Sequence, residues 1–168
     1  MTIHVVVMGV AGCGKSAVGR RMAAALGLPM VEGDDFHPPA NVERMRQGVA
    51  LTDADRAGWL AQLGGVLQQH PAGAVLSCSA LKRAYRDTLR SAVPGLRFVY
   101  LHITPAESLR RVAGRPGHFY PPSLVDSQFE ALQDPAGETG VLTLDGEQAL
   151  DEVAAHAVRW LRPATDPL

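Results

Sequence analysis

The sequence predicts an α/β fold: a parallel sheet covered on both faces by helices. Two observations predict it. Short apolar runs rich in β-branched residues alternate with longer stretches of helical periodicity, and the first run leads directly into a glycine loop that opens a helix. Strands are expected at Ile3–Met8, Met30–Glu32 (the shortest), Ala74–Cys78, Phe98–His102 and Val141–Leu144. Their near-continuous apolar character is that of strands buried on both faces. Helices are expected at Lys15–Leu26, Asn41–Gln47, Ala54–Gln69, Arg83–Ser91, Ala106–Ala113, Pro122–Gln133 and Gln148–Leu161, several entered through Thr, Asp, Ser or Pro. Gly27-Leu28-Pro29, Pro94-Gly95 and Pro116-Gly117 punctuate the order.

With 168 residues, 17.9 kDa and 46% hydrophobic residues, the chain suits one domain, expected over residues 1–162, with a flexible tail at 163–168. Sixteen Lys and Arg oppose seventeen Asp and Glu, so no global basic field draws the protein to nucleic acid or an anionic membrane. Any anion site must be local. The two cysteines, Cys13 and Cys78, have neither zinc nor disulfide spacing, and a reducing cytoplasm is the expected home. The apolar start lacks the basic leader and cleavage site of a signal peptide.

Gly9-Val10-Ala11-Gly12-Cys13-Gly14-Lys15-Ser16 matches G-x-x-x-x-G-K-[ST] between a predicted strand and a predicted helix. In a P-loop the backbone N–H groups of such a segment, continuing to Ala17, face phosphate oxygens, Lys15 reaches the β/γ oxygens and Ser16 ligates Mg²⁺. ATP and Mg²⁺ are therefore the expected cofactors. Cys13 is read as a small side chain filling a tight loop.

Beyond the second strand, Glu32-Gly33-Asp34-Asp35-Phe36-His37 falls at the carboxyl edge, where open α/β sheets bind ligands. Asp34, with Asp35 second, is expected to orient an attacking hydroxyl or hold Mg²⁺ through water. His37 either closes a turn or bonds substrate. Lys82 and Arg86, spaced i, i+4, either clamp an acceptor carboxylate or decorate a solvated helix face. Arg110, Arg111 and Arg115 precede a Pro-Gly break, and a small mobile lid is expected over residues 111–135. Its closure would bring Arg115 or Arg111 onto the transferring phosphoryl group; an ordinary helix end with C-terminal cations is the competing view.

These residues together resemble the gluconokinase family of small P-loop kinases. The resemblance rests on Gly9–Ser16, Glu32–Pro38, Asn41, Met45, Gly48, Leu51–Arg56, Trp59-Leu60, Cys78–Lys82, Tyr85-Arg86, Leu89-Arg90, Gly117–Phe119, Ser127–Phe129, Leu132, Pro135 and Glu138. Cys13 stands where that family usually has Ser, and Gly58 where it commonly has Pro. The resemblance implies a P-loop NTPase fold with strand order 2-3-1-4-5 and a homodimer. It also implies ATP-dependent transfer to the 6-hydroxyl of D-gluconate, with His37, Lys82, Arg86, His118 and Gln128 binding the sugar acid and Arg111 the nucleotide. Asp53, Asp55 and Arg56 match too, yet a helix cap with a salt bridge explains them as well as substrate contact. A shikimate-kinase-like enzyme and a nucleotide-dependent switch are the alternatives.

Overall fold

A computed structural model describes residues 2–114 and 121–163. Five parallel strands form one sheet: β1 (Ile3–Met8), β2 (Met30–Glu32), β3 (Gly73–Ser77), β4 (Arg97–His102) and β5 (Val141–Asp145). Their order is β2-β3-β1-β4-β5, the order the resemblance implied. The helices are α1 (Lys15–Leu26), α2 (Pro39–Arg46), α3 (Asp53–Gln68), α4 (Arg83–Ala92), α5 (Pro105–Ala113), α6 (Val125–Ala131) and α7 (Leu150–Leu161).

Side chains alternate across the central strand, so β1 feeds two cores. Val5 and Val7 pack with Met22, Val75, Leu101, Ala157 and Leu161 beneath α1 and α7. Val6 and Met8 pack with Trp59, Leu63, Leu76, Leu89 and Phe98 beneath α3 and α4. With both faces covered, the carboxyl edge of β1 and its neighbours is left to carry the ligand site. No helix among the described residues is long and apolar enough to cross a membrane.

One short element is added to those expected, and one expected helix is changed. Gly33–Phe36 is a single 3₁₀ turn, closed by the His37 N–H on the Asp34 carbonyl at 3.2 Å. The expected helix Pro122–Gln133 is a 3₁₀ turn, Pro122–Leu124, followed by α6, which ends at Ala131. Gln133 is drawn out of it because its N–H donates to the Leu81 carbonyl at 2.8 Å and its side-chain oxygen accepts from Arg83 N at 2.8 Å.

Candidate active site

The phosphate loop runs from the end of β1 into α1. Gly14 caps α1 in a left-handed conformation and supplies no side-chain cap, so the first N–H groups of the helix are left for a ligand. Gly9, at φ 146°, has no room for a side chain: a Cβ would lie 2.7 Å from Cys13 Sγ and 2.8 Å from the Leu101 carbonyl oxygen. Cys13 is buried in that contact and fills the loop from within. Lys15 Nζ donates to the carbonyls of Gly9 at 3.1 Å and Val10 at 3.2 Å, which holds the ammonium over the loop. The loop is also gripped from outside. Ser108 Oγ on α5 donates to the Ala11 carbonyl at 2.7 Å, and the Ala11 N–H donates to Gln128 Oε1 on α6 at 2.5 Å.

Beside the loop lies a cavity of about 320 Å³, bounded by Gly12, Lys15, Ser16, Glu32, Asp34, His37, Arg56 and Gln128, among others. Glu32 organises one wall. It ends β2, and β2 pairs with β3 so that Glu32 stands opposite Ser77. Its Oε2 accepts from Ser77 Oγ and Ser16 Oγ, both at 2.8 Å, while Arg20 reaches Oε1 at 3.3 Å. Because Ser16 spends its hydrogen on Glu32, its lone pairs stay open to the cavity.

Gly33 permits the next turn, since a Cβ there would collide with the Ser77 carbonyl. The turn is fastened from α3, where Trp59 Nε1 donates to the Gly33 carbonyl at 2.8 Å. The same indole stacks on the His37 ring, with centroids 4.0 Å apart and planes 15° from parallel. Asn41 Nδ2, a donor, lies 3.4 Å from His37 Nδ1, so the neutral ring carries its hydrogen on Nε2, 3.8 Å from Asp34 Oδ1. Burial lowers the histidine's pKa, against the pull of Asp34, and the ring is neutral at pH 7. Asp34 itself is two-thirds exposed. Asp35 does not border the cavity.

A second cavity of about 200 Å³ adjoins the first and shares Leu51, Arg56 and Gln128 with it. Lys82, Asp53, Thr52 and Tyr85 complete its polar wall. Lys82 Nζ donates to Asp53 Oδ1 at 2.9 Å, and the Tyr85 hydroxyl donates to the same oxygen. The tyrosine bond first, then the lysine bond, hold the Asp53 carboxyl below its ordinary range. Arg56 lies over the Tyr85 ring, 5.5 Å from its centroid, and its NH1 is 3.3 Å from the hydroxyl. One carboxylate against two cations leaves this pocket net positive.

The expected site residues divide accordingly. The phosphate loop, Asp34, His37 and Gln128 meet at the first cavity, and Lys82 borders the second. Arg86 does neither, which corrects the expected carboxylate clamp. Its guanidinium is fully buried, and its five N–H groups are engaged by Glu138, at 3.0 and 2.6 Å, and by the carbonyls of Ala80, Leu81 and Gln133. Arg111 touches the phosphate loop only at the Gly12 carbonyl, 3.0 Å away, and also holds Glu107 and the Gly146 carbonyl. Arg115 and His118 lie outside the described residues, as does part of the expected lid.

Glu32, Arg56, Trp59 and Ser108 escaped the sequence reading as site residues. Glu32 carried a signal, a carboxylate two positions before Asp34 at a strand end. Arg56 was visible but masked by an equally good cap. The structure separates the two roles: Thr52 and Asp55 form the capping box of α3, with bonds of 3.1 and 2.9 Å, while Arg56 borders both cavities.

Comparison with known proteins agrees with this geometry. The shikimate kinase family model matches residues 11–137. A gluconokinase of Gluconobacter oxydans is 45% identical over 157 residues, covering 92% of this chain and 88% of that one. The thermoresistant gluconokinase of Escherichia coli is 40% identical over 161 residues, covering 94% and 92%. The crystal structure of a gluconokinase from Sinorhizobium meliloti 1021 superposes with a TM-score of 0.87 at 47% identity, covering 95% of this chain and 91% of that one. The chain belongs to the gluconokinase family, within the shikimate-kinase-like P-loop kinases.

Proposed function

We propose that the protein transfers the γ-phosphoryl group of ATP to the 6-hydroxyl of D-gluconate, giving 6-phospho-D-gluconate. Membership of a kinase family implies ATP as donor. The observation that carries the reading is the pair of adjoining cavities. One is walled by the phosphate loop, the other carries Arg56 and Lys82, and an open-chain sugar acid has a hydroxyl for the first and a carboxylate for the second.

In this reading Lys15 reaches the β/γ oxygens and the loop amides towards Ala17 cradle the phosphates, while the Gly9 N–H stays with the Ser79 carbonyl and the Cys13 N–H with the Val10 carbonyl. Asp34 accepts the proton of the 6-hydroxyl and orients it in line. Neutral His37, with Nε2 3.8 Å from Asp34, contacts acceptor hydroxyls. Arg56 and Lys82 take the carboxylate, and Arg56 replaces Arg86 in that role because Arg86 has no free donor. Arg111 stiffens the loop at Gly12; covering the charge that develops on the phosphoryl group falls to Arg115 and contact with the acceptor to His118, both outside the described residues.

Ser16, Glu32 and Asp34 present hard oxygen donors in one cavity, which suits Mg²⁺. Bound there with ATP, Mg²⁺ would neutralise charge on the β and γ oxygens. Ser16 and Asp34 would hold it, with Glu32 orienting the serine. The resemblance implies a homodimer, which light scattering tests.

The deciding experiment is a coupled assay of ATP consumption with D-gluconate, glucose, shikimate or no acceptor. Turnover that depends on gluconate is expected. Preference for shikimate, or ATP hydrolysis indifferent to every acceptor, would overturn the assignment.

A further inference from the structure

His37 is held by two side chains with different duties. Trp59 stacks on its ring with centroids 4.0 Å apart, which fixes the plane of the imidazole but leaves open which edge faces the cavity. Asn41, in the first turn of α2, settles the edge. It is 5% exposed, and its Nδ2 donates to the Asp55 carbonyl at 2.9 Å and lies 3.4 Å from His37 Nδ1. A backbone carbonyl only accepts, so the carboxamide cannot be reversed: one Nδ2 hydrogen goes to Asp55 and the other to Nδ1. Nδ1 is therefore an acceptor. The ring hydrogen sits on Nε2, 3.8 Å from Asp34 Oδ1, and both residues border the cavity beside the phosphate loop.

We propose that Asn41 is a positioning residue for phosphoryl transfer, acting through His37 by fixing the direction of the hydrogen bonds at the acceptor hydroxyl. The inference deepens the ATP and gluconate reading above and rests on it. Two groups 3.8 Å apart can flank one hydroxyl oxygen, which has a single hydrogen and two lone pairs. With Nε2–H donating to a lone pair, the hydroxyl's own hydrogen is left for Asp34, the group that orients the oxygen for in-line attack. With the ring hydrogen on Nδ1 instead, Nε2 would compete with Asp34 for that hydrogen. Asn41 opposes this second arrangement, because it would set two hydrogens against each other between Nδ2 and Nδ1.

The test joins long-range ¹H–¹⁵N NMR of the histidine rings to initial-rate kinetics, at a pH where free histidine is neutral, for wild type, Asn41→Leu and Asn41→Ala. The His37 signals are identified by their loss in His37→Gln. Wild type should carry the His37 hydrogen on Nε2; a ring protonated at Nδ1 overturns the proposal without any variant. Asn41→Leu removes the donor at similar bulk, and Asn41→Ala removes it without crowding. In either, the Nδ1–H form should become detectable and kcat with gluconate should fall about five-fold, the worth of one net hydrogen bond, while the KM for ATP stays within about two-fold. A merely structural role predicts another pattern, in which both KM values rise along with a lower melting temperature while the His37 hydrogen stays on Nε2. That pattern, or an unchanged kcat, overturns the role of Asn41 and leaves the kinase assignment intact. Wild type without gluconate-dependent turnover overturns the assignment itself, and the role of Asn41 with it.

Discussion

Lys15 rests on two carbonyls of its own loop, which fix its ammonium over that loop. Lys15→Ala should lower kcat for gluconate phosphorylation by about 10²–10³-fold, the usual loss of one preorganised charge donor. The folded state should be little affected, as equilibrium urea unfolding would verify. Arg56→Ala makes a different prediction: the KM for gluconate rises about 10–100-fold, the value of a charge-assisted bond to carboxylate, while the KM for ATP stays within about two-fold. Initial-rate kinetics with each substrate varied separates the two. Lys15 and Ser16 were legible in the sequence because their partners lie in the same eight-residue loop. Glu32 was not, because its meeting with Ser16 depends on the pairing that sets Glu32 opposite Ser77, a contact 45 residues long in the chain. Arg56 was ambiguous for a third reason: Thr52 and Asp55 already gave its neighbourhood a complete explanation as a helix cap.

At the scale of elements, α3 and α4 carry the acceptor side. α3 begins on the Thr52–Asp55 capping box, and its Trp59 fastens the Gly33 turn and supports His37. Trp59→Phe keeps the stacking but deprives the Gly33 carbonyl of its donor. It should cost about 1–3 kcal/mol in unfolding free energy, with a gluconate KM that rises more than the ATP KM. α4 explains the misreading of Arg86. The i, i+4 spacing places Lys82 and Arg86 on one face only if both are helical, but Lys82 is the extended N-cap of α4, at φ −100° and ψ 146°. The two side chains therefore part, Lys82 to the second cavity and Arg86 into the interior. Arg86→Ala should destabilise the fold by about 1.5–3 kcal/mol, the worth of its charge-assisted bonds to buried Glu138, which keeps Arg90 as a partner. Arg86→Ala combined with Glu138→Ala should recover part of that loss, a coupling that denaturation of the four forms measures. Helix and strand positions were largely readable from periodicity; the end of α6 was not, because a distant carbonyl, Leu81, decides it.

For the whole molecule, the pH dependence of stability follows from groups displaced in the folded state, among them His37 and Glu138. Buried His37 resists protonation relative to the ordinary 6.5, so below that pH the unfolded chain binds more protons and stability declines. Glu138 is held below the ordinary 4.5, by the Arg86 bond first, so its contribution is complete above that value and is lost as pH falls through the folded pKa. Melting temperature measured across pH should therefore fall in two stages, one beginning near 6.5 and a steeper one below 4.5. His37→Gln should erase the first stage and Glu138→Gln should lessen the second, to which Asp53, Asp55 and Glu107, also held below their ordinary range, contribute. The sheet was the most legible part of the molecule, since strands buried on both faces announce themselves as unbroken apolar runs. The strand order came through resemblance, because no local pattern records which strands are neighbours.

Arg86, Gln133 and Glu138 also set how this molecule moves. Arg86 joins the segment after β3 to the segment before β5, and Gln133 repeats the joint through its bonds to Leu81 and Arg83. The two halves of the sheet's carboxyl edge are thus cross-braced beneath the ligand cavities, and a jaw-like opening about β1 would have to break a buried ion pair. The Gln133 amide hydrogen should consequently exchange with deuterium only through global unfolding, as slowly as the amides of β1, whether or not substrates are bound.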